Sequence, residues 1–145
     1  MIYFDTSILV PLVAPEPSND DVRRLILRQR RGALATSHWT RAEFSSMLAR
    51  EVRMGNYKAF FASKLDAKFE SVVHTSFAIY LPALADFETA KQFVLRYETA
   101  LRAGDALHLA IARNNNAQAI YSLDDKMIRA GKLLGLPVSR GIRAR

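Results

Sequence analysis

The chain contains no cysteine. That excludes disulfides and thiolate metal sites, and a reducing cytoplasm fits. Histidine is scarce, with three in 145 residues. No His-x-x-x-His pair occurs among them, which makes zinc a poor candidate. No apolar run approaches the length of a membrane span. The opening apolar run has no basic lead-in and is broken by Asp5, so it does not read as a signal peptide. Glycine and proline number only 6 and 5, and no linker, low-complexity tract or internal repeat is visible. Acids are also the minority charge, 14 against 21 Lys and Arg.

What is present is a half-hydrophobic chain, 50% by residue count, with mean hydropathy near zero. This describes one globular domain spanning 1–145, long enough to bury a core. The net charge of +7 suits a polyanionic partner, nucleic acid before membrane. The excess is uneven. Arg23, Arg24, Arg28, Arg30 and Arg31 share one helical segment, and Arg140, Arg143 and Arg145 sit in the tail. Arg24, Arg28 and Arg31 are the candidate nucleic-acid contacts, unless that face is merely solvated.

Periodicity predicts alternating strands and helices. Strands are expected at 2–5, 33–36, 77–81 and 119–122, with an edge strand at Pro137-Val138. A short helix through Ile8 to Val13 is limited by Pro11 and Pro15. Pro17-Ser18-Asn19-Asp20 signals a helix start. Ser37 or Thr40 caps a long helix with Phe44, Met47, Leu48 and Val52 on its apolar stripe, ended by Gly55-Asn56. A second helix over 57–74, with Phe60, Phe61, Leu65 and Phe69 inward, completes an antiparallel hairpin. Further helices are expected over 87–97, 105–114 after Gly104, and 125–134 before Gly135. This alternation predicts an α/β fold: a mostly parallel sheet covered on both faces.

Four acids stand at the joints of this pattern: Asp5, Glu43, Asp105 and Asp124. Each alone can be a helix cap or a first-turn acid. Together they belong to one edge of a parallel sheet, where ligands of open α/β sheets bind. Two carboxylates about 4 Å apart repel by roughly 4 kcal/mol at an effective dielectric of about 20. One must take a proton, or a cation must be bound. Oxygen-only ligands select Mg²⁺, with Mn²⁺ chemically close. Neutralising Asp5 or Asp105 is therefore expected to stabilise the metal-free protein. His108, inside Leu-His-Leu-Ala-Ile, reads as a packing residue rather than a catalytic one. Trp39 either stacks on an unpaired base or packs in the core.

The segments Ile-Tyr-Phe-Asp-Thr-Ser-Ile-Leu (2–9), Thr-Arg-Ala-Glu-Phe-Ser-Ser-Met-Leu-Ala-Arg (40–50), Leu-Arg-Ala-Gly-Asp-Ala-Leu-His-Leu-Ala (101–110) and Ile-Tyr-Ser-Leu-Asp-Asp-Lys-Met (120–127) resemble the motifs of the PIN domain. More narrowly, the chain resembles VapC-type toxins, the ribonuclease half of a toxin–antitoxin pair. The resemblance implies a three-layer α/β/α fold and a quartet of Asp5, Glu43, Asp105 and Asp124 around Mg²⁺ or Mn²⁺. Asp5, Asp105 and Asp124 are the implied ligands, and Glu43 ligates or orients water. Ser7 and Ser122 support the acids. The adjacent Asp125 makes the fourth acid ambiguous, and Asp124 is preferred because it follows Ser-x. The resemblance also implies hydrolysis of RNA to a 5′-phosphate and a 3′-hydroxyl, a homodimer, and a VapB-type antitoxin. Two alternatives remain: a nuclease of RNA maturation without antitoxin, and a silent module that only binds RNA or protein.

Overall fold

The computed structural model describes residues 1–143. Five strands form one sheet in the order β3-β2-β1-β4-β5: β1 Ile2–Phe4, β2 Leu34–Ser37, β3 Ala78–Tyr80, β4 Ala119–Tyr121 and β5 Val138–Ser139. Every strand pair is parallel. Seven α-helices among the described residues surround it: α1 Thr6–Leu9, α2 Asn19–Leu27, α3 His38–Arg53, α4 Ala59–Ser76, α5 Leu84–Val94, α6 Ala103–Asn114 and α7 Asp125–Leu133. The three-layer α/β/α architecture is as expected. None of these helices is long and apolar enough to cross a membrane.

Side chains alternate across a strand, and β1 divides the core by that rule. Phe4 enters the layer holding Ile8, Leu9, Phe44, Leu48, Phe69 and Val73. Tyr3 enters the other, with Leu107, Leu109, Ile111, Ile120 and Met127. The α3–α4 hairpin is clamped by stacked Phe44 and Phe69 rings, whose centroids lie 3.9 Å apart. Arg41 on α3 pairs with Glu70 on α4 at 3.0 Å.

Two expectations are corrected. Phe60 and Phe61 are not inward, being 73% and 39% exposed. The buried stripe of α4 is Ala62, Leu65, Phe69 and Val73, and the two aromatics fall off that face at the first turn. Gly104 does not precede a helix but lies inside the first turn of α6. A Cβ there would stand 3.3 Å from Glu43 Oε2 and 3.4 Å from Trp39 Cζ2, so glycine serves close packing.

Register places the chemistry. Phe4 on β1 pairs with Tyr121 on β4, so the residues that follow, Asp5 and Ser122, emerge side by side at the carboxyl edge. β2 ends at Ser37 on the same edge. Its central position gives β1 one neighbour, β2, that precedes α6 and one, β4, that follows it.

Candidate active site

Asp5 ends β1 and caps α1, accepting from Ile8 N at 3.2 Å. The same carboxylate accepts from Ser7 Oγ at 2.8 and 3.0 Å and from Ser122 Oγ at 2.9 Å. Burial pushes its pKa up, opposed by the nearby His108 and by the Ser7 and Ser122 hydroxyls. Ser7 also accepts from the Leu123 backbone at 2.8 Å, and Ser122 from Asp124 N at 3.0 Å. The two serines therefore tie the β1 and β4 ends together.

Glu43 is on α3 and is held from a different direction. Its Oε1 is bonded to His108 Nε2 and accepts from Thr6 Oγ1 at 2.5 Å. Burial acts to raise its pKa, but the His108 and Thr6 hydrogen bonds outweigh it and hold the carboxyl below its ordinary value. The Trp39 indole N–H lies beside this carboxylate and favours its charge, without reaching hydrogen-bond geometry.

Asp105, half-buried in the first turn of α6, has the opposite environment. No hydrogen bond reaches its carboxylate among the described residues. Burial first, then the charges of Asp124, Glu43 and Asp5, raise its pKa to about 6, against a smaller opposing effect of His108. Asp124 caps α7 through Oδ1, accepting from Lys126 N at 2.9 Å and Met127 N at 3.2 Å. Asp105 and Asp124 line a cleft of about 410 Å³ with Thr99, Leu101, Arg102, Lys126 and Arg129. The neighbouring Asp125 is 84% exposed at its side chain and pairs with Arg140 at 2.8 Å. Asp124, not Asp125, is therefore the acid that faces Asp105.

The structure thus groups the quartet electrostatically at the sheet's carboxyl edge. It does not draw the acids into a closed cage: among the described residues no three His, Asp or Glu side chains form a ready-made metal-binding group.

The arginine cluster is elsewhere. Arg24 and Arg28 line a separate cleft with Asp21, Gly141 and Arg143, and Arg24 is ion-paired to Asp21 at 2.5 Å. Arg31 is exposed in the turn after α2. Arg145 lies outside the described residues. The cations that border the acids are Arg102, Lys126 and Arg129, which sequence reasoning missed because they are scattered over two segments. It also missed Thr6 and the contact of His108 with Glu43. A signal existed for the latter: Asp105 and His108 are three residues apart and share a helix face.

The PIN domain model matches residues 2–133. The chain belongs to the PIN domain family. Solved structures similar to this PIN domain include VapC20 of Mycobacterium tuberculosis, a toxin that cleaves the sarcin–ricin loop. It is 20% identical, with 90% of this chain and 95% of that one covered and a TM-score of 0.72. FitAcB of Neisseria gonorrhoeae is 18% identical, with 97% and 98% covered and a TM-score of 0.76. VapBC-1 of nontypeable Haemophilus influenzae is 16% identical, with 97% and 98% covered and a TM-score of 0.68. A comparison with curated proteins finds no match.

Proposed function

We propose that this PIN domain is an Mg²⁺- or Mn²⁺-dependent endoribonuclease of the VapC type, the cytoplasmic toxin of a pair with a VapB-type antitoxin. The observation that carries the reading is the cleft in which Asp105 and Asp124 sit beneath Arg102, Lys126 and Arg129. A basic rim attracts a phosphate backbone, and a crowded acidic floor suits a cation. The similarity to a toxin that cleaves the sarcin–ricin loop supports a nucleic-acid substrate.

The donor set fits a hard divalent ion. Among the described residues no protein donor satisfies Asp105, and its carboxyl is raised by burial and then by like charges that a cation would neutralise. Asp5, Asp105 and Asp124 would hold the ion. When bound, it offsets the negative charge of the phosphoryl oxygens and acidifies water. The remaining work belongs to the chain. Arg102, Lys126 and Arg129 draw the strand to the cleft, Ser7 and Ser122 keep Asp5 fixed, and Glu43 accepts a hydrogen bond from the attacking water. Hydrolysis leaves a 5′-phosphate and a 3′-hydroxyl.

The antitoxin fits the same surface. An arginine of its tail pairs with the carboxylates in bidentate fashion and competes with metal. An apolar stretch covers Phe60 and Phe61 at the exposed start of α4. A homodimer completes the proposed assembly.

The test is purified protein with total RNA, with EDTA, Mg²⁺ or Mn²⁺, and mapped cleavage ends. Cleavage that stops in EDTA and returns with either ion supports the reading. Full cleavage in excess chelator rejects the metal. Binding without cleavage under all conditions makes the protein a silent RNA-binding module. High Mg²⁺ should weaken inhibition by an antitoxin tail peptide; inhibition indifferent to Mg²⁺ would move the tail away from the acids.

A further inference from the structure

His108 is 1% exposed, yet both of its ring nitrogens are engaged. Nε2 meets Glu43 Oε1. A carboxylate oxygen can only accept, so Nε2 carries the hydrogen of this bond. Nδ1 lies 2.8 Å from the Tyr3 hydroxyl, which is also hydrogen-bonded to Ser37 Oγ at 2.9 Å. Tyr3 and Ser37 are fully buried. The connection therefore runs from β2 through β1 and α6 to α3, and its outer end is Glu43.

An apolar residue at 108 and phenylalanine at 3 would fill this part of the core without burying polar groups. A buried polar network adds stability only if every member is satisfied, and it fixes one geometry. Here the members that can be satisfied inside the core are satisfied, and the fixed geometry is that of an acid at the cleft. Thr6 completes the hold on Oε1 from α1. On the other side, the missing side chain of Gly104 leaves space beside Oε2, where a Cβ would come within 3.3 Å.

We propose that His108, braced by Tyr3 and Ser37, is a positioning residue that locks Glu43 Oε1 and leaves Oε2 as the one oxygen that meets the attacking water. Its kinetic consequence rests on the endoribonuclease reading; its geometric consequence does not. Glu43 is thereby set apart from Asp105, which no protein donor orients among the described residues. The orientation of Glu43 is set by protein donors before any ion or substrate arrives.

The test uses the full chain with His108→Leu, His108→Gln and Tyr3→Phe. Single-turnover cleavage of a single-stranded RNA is measured alongside RNA binding, and Glu43 is located in a crystal structure of His108→Leu. His108→Leu should slow the cleavage step by about 30-fold or more, with RNA affinity changed by less than about 2-fold. Tyr3→Phe should slow it by about 3- to 10-fold, since the imidazole keeps one partner. His108→Gln should recover part of the loss, because its amide N–H can replace Nε2–H. In the crystal, Glu43 should leave its present rotamer. Losses that fall equally on binding and cleavage, or undiminished cleavage, would overturn the proposal. So would an unchanged Glu43 rotamer in His108→Leu. Should His108→Leu fail to fold, Tyr3→Phe, which deletes a single oxygen, decides by the same split. If the wild type cleaves no RNA with either ion, the functional reading fails while the crystallographic arm still judges the brace.

Discussion

Glu43 and Asp105 both stand near the start of a helix at the same edge of the sheet, and the protein treats them in opposite ways. Glu43 is met by an imidazole and a hydroxyl, which hold its charge in place. Asp105 is met by other carboxylates and by partial burial, which work against its charge. Asp5 resembles Glu43 in being supplied with donors, but its deeper burial pushes its pKa up, as it does for Asp105. The difference separates acids whose electrostatics are settled by the fold from an acid left for something outside it. Summed charge at the site hides this, because all four residues count equally in it.

The strongest way to break the comparison is by cleavage and metal response together. Asp105→Asn and Glu43→Gln should each reduce RNA cleavage by on the order of 100-fold or more. Mn²⁺ should raise the melting temperature of the wild type, and of the two variants only Asp105→Asn should abolish that rise. Loss of that rise in Glu43→Gln would place Glu43 among the ligands.

The cations divide in the same manner. Arg102→Ala with Arg129→Ala should weaken RNA binding by about 10-fold at low salt and lower the salt slope by roughly 2. Arg24→Ala with Arg28→Ala should have a smaller effect, since Arg24 already pairs with Asp21. Equal effects would mean that RNA crosses both clefts.

A smaller effect is expected on stability. In EDTA, Asp105→Asn should raise the melting temperature by about 2–4 °C, corresponding to about 1 kcal/mol once solvent screening of a half-buried group is allowed for. Asp5→Asn should not. Its oxygens accept from Ser7, Ser122 and Ile8, and an amide would set a donor against those donors. The expectation that both neutralisations stabilise is thereby narrowed to Asp105.

The smallest expected signal is in pH. Asp105, ordinarily near 3.8, is raised to about 6 in the fold. The folded state therefore binds its proton more tightly. The corresponding stability of metal-free protein is present below about 4 and is lost as pH rises through about 6. Glu43 is lowered from 4.5, so its contribution is present above that value and is lost as pH falls through the folded-state pKa. Asp105→Asn should remove the loss on the neutral side and Glu43→Gln the loss on the acid side, as read from urea midpoints across pH. Identical curves for the two variants would dissolve the distinction.

Strand ends and helices were legible because apolar runs stop at Asp5 and Ser122, and because one register follows from parallel pairing. The four acids could be collected from that pattern alone. Their different treatment could not, since it depends on Thr6 and His108, which approach Glu43 from segments distant in sequence. Phe60 and Phe61 misled because large aromatics suggest burial, whereas the small Ala62 occupies the inward position of that turn. Gly104 suggested a helix boundary because glycine breaks helices, whereas here it yields space to Trp39 and Glu43.

The central place of β1 also has a consequence in time. The β1 segment, made well before β4, forms the middle of the sheet, and one of its neighbours is β4, with Ile2 lying against Ala119. Until that late segment emerges, β1 has an open flank, Asp5 lacks Ser122, and Asp124 does not yet exist. A shortened or unfinished chain therefore carries the first acid without the pocket.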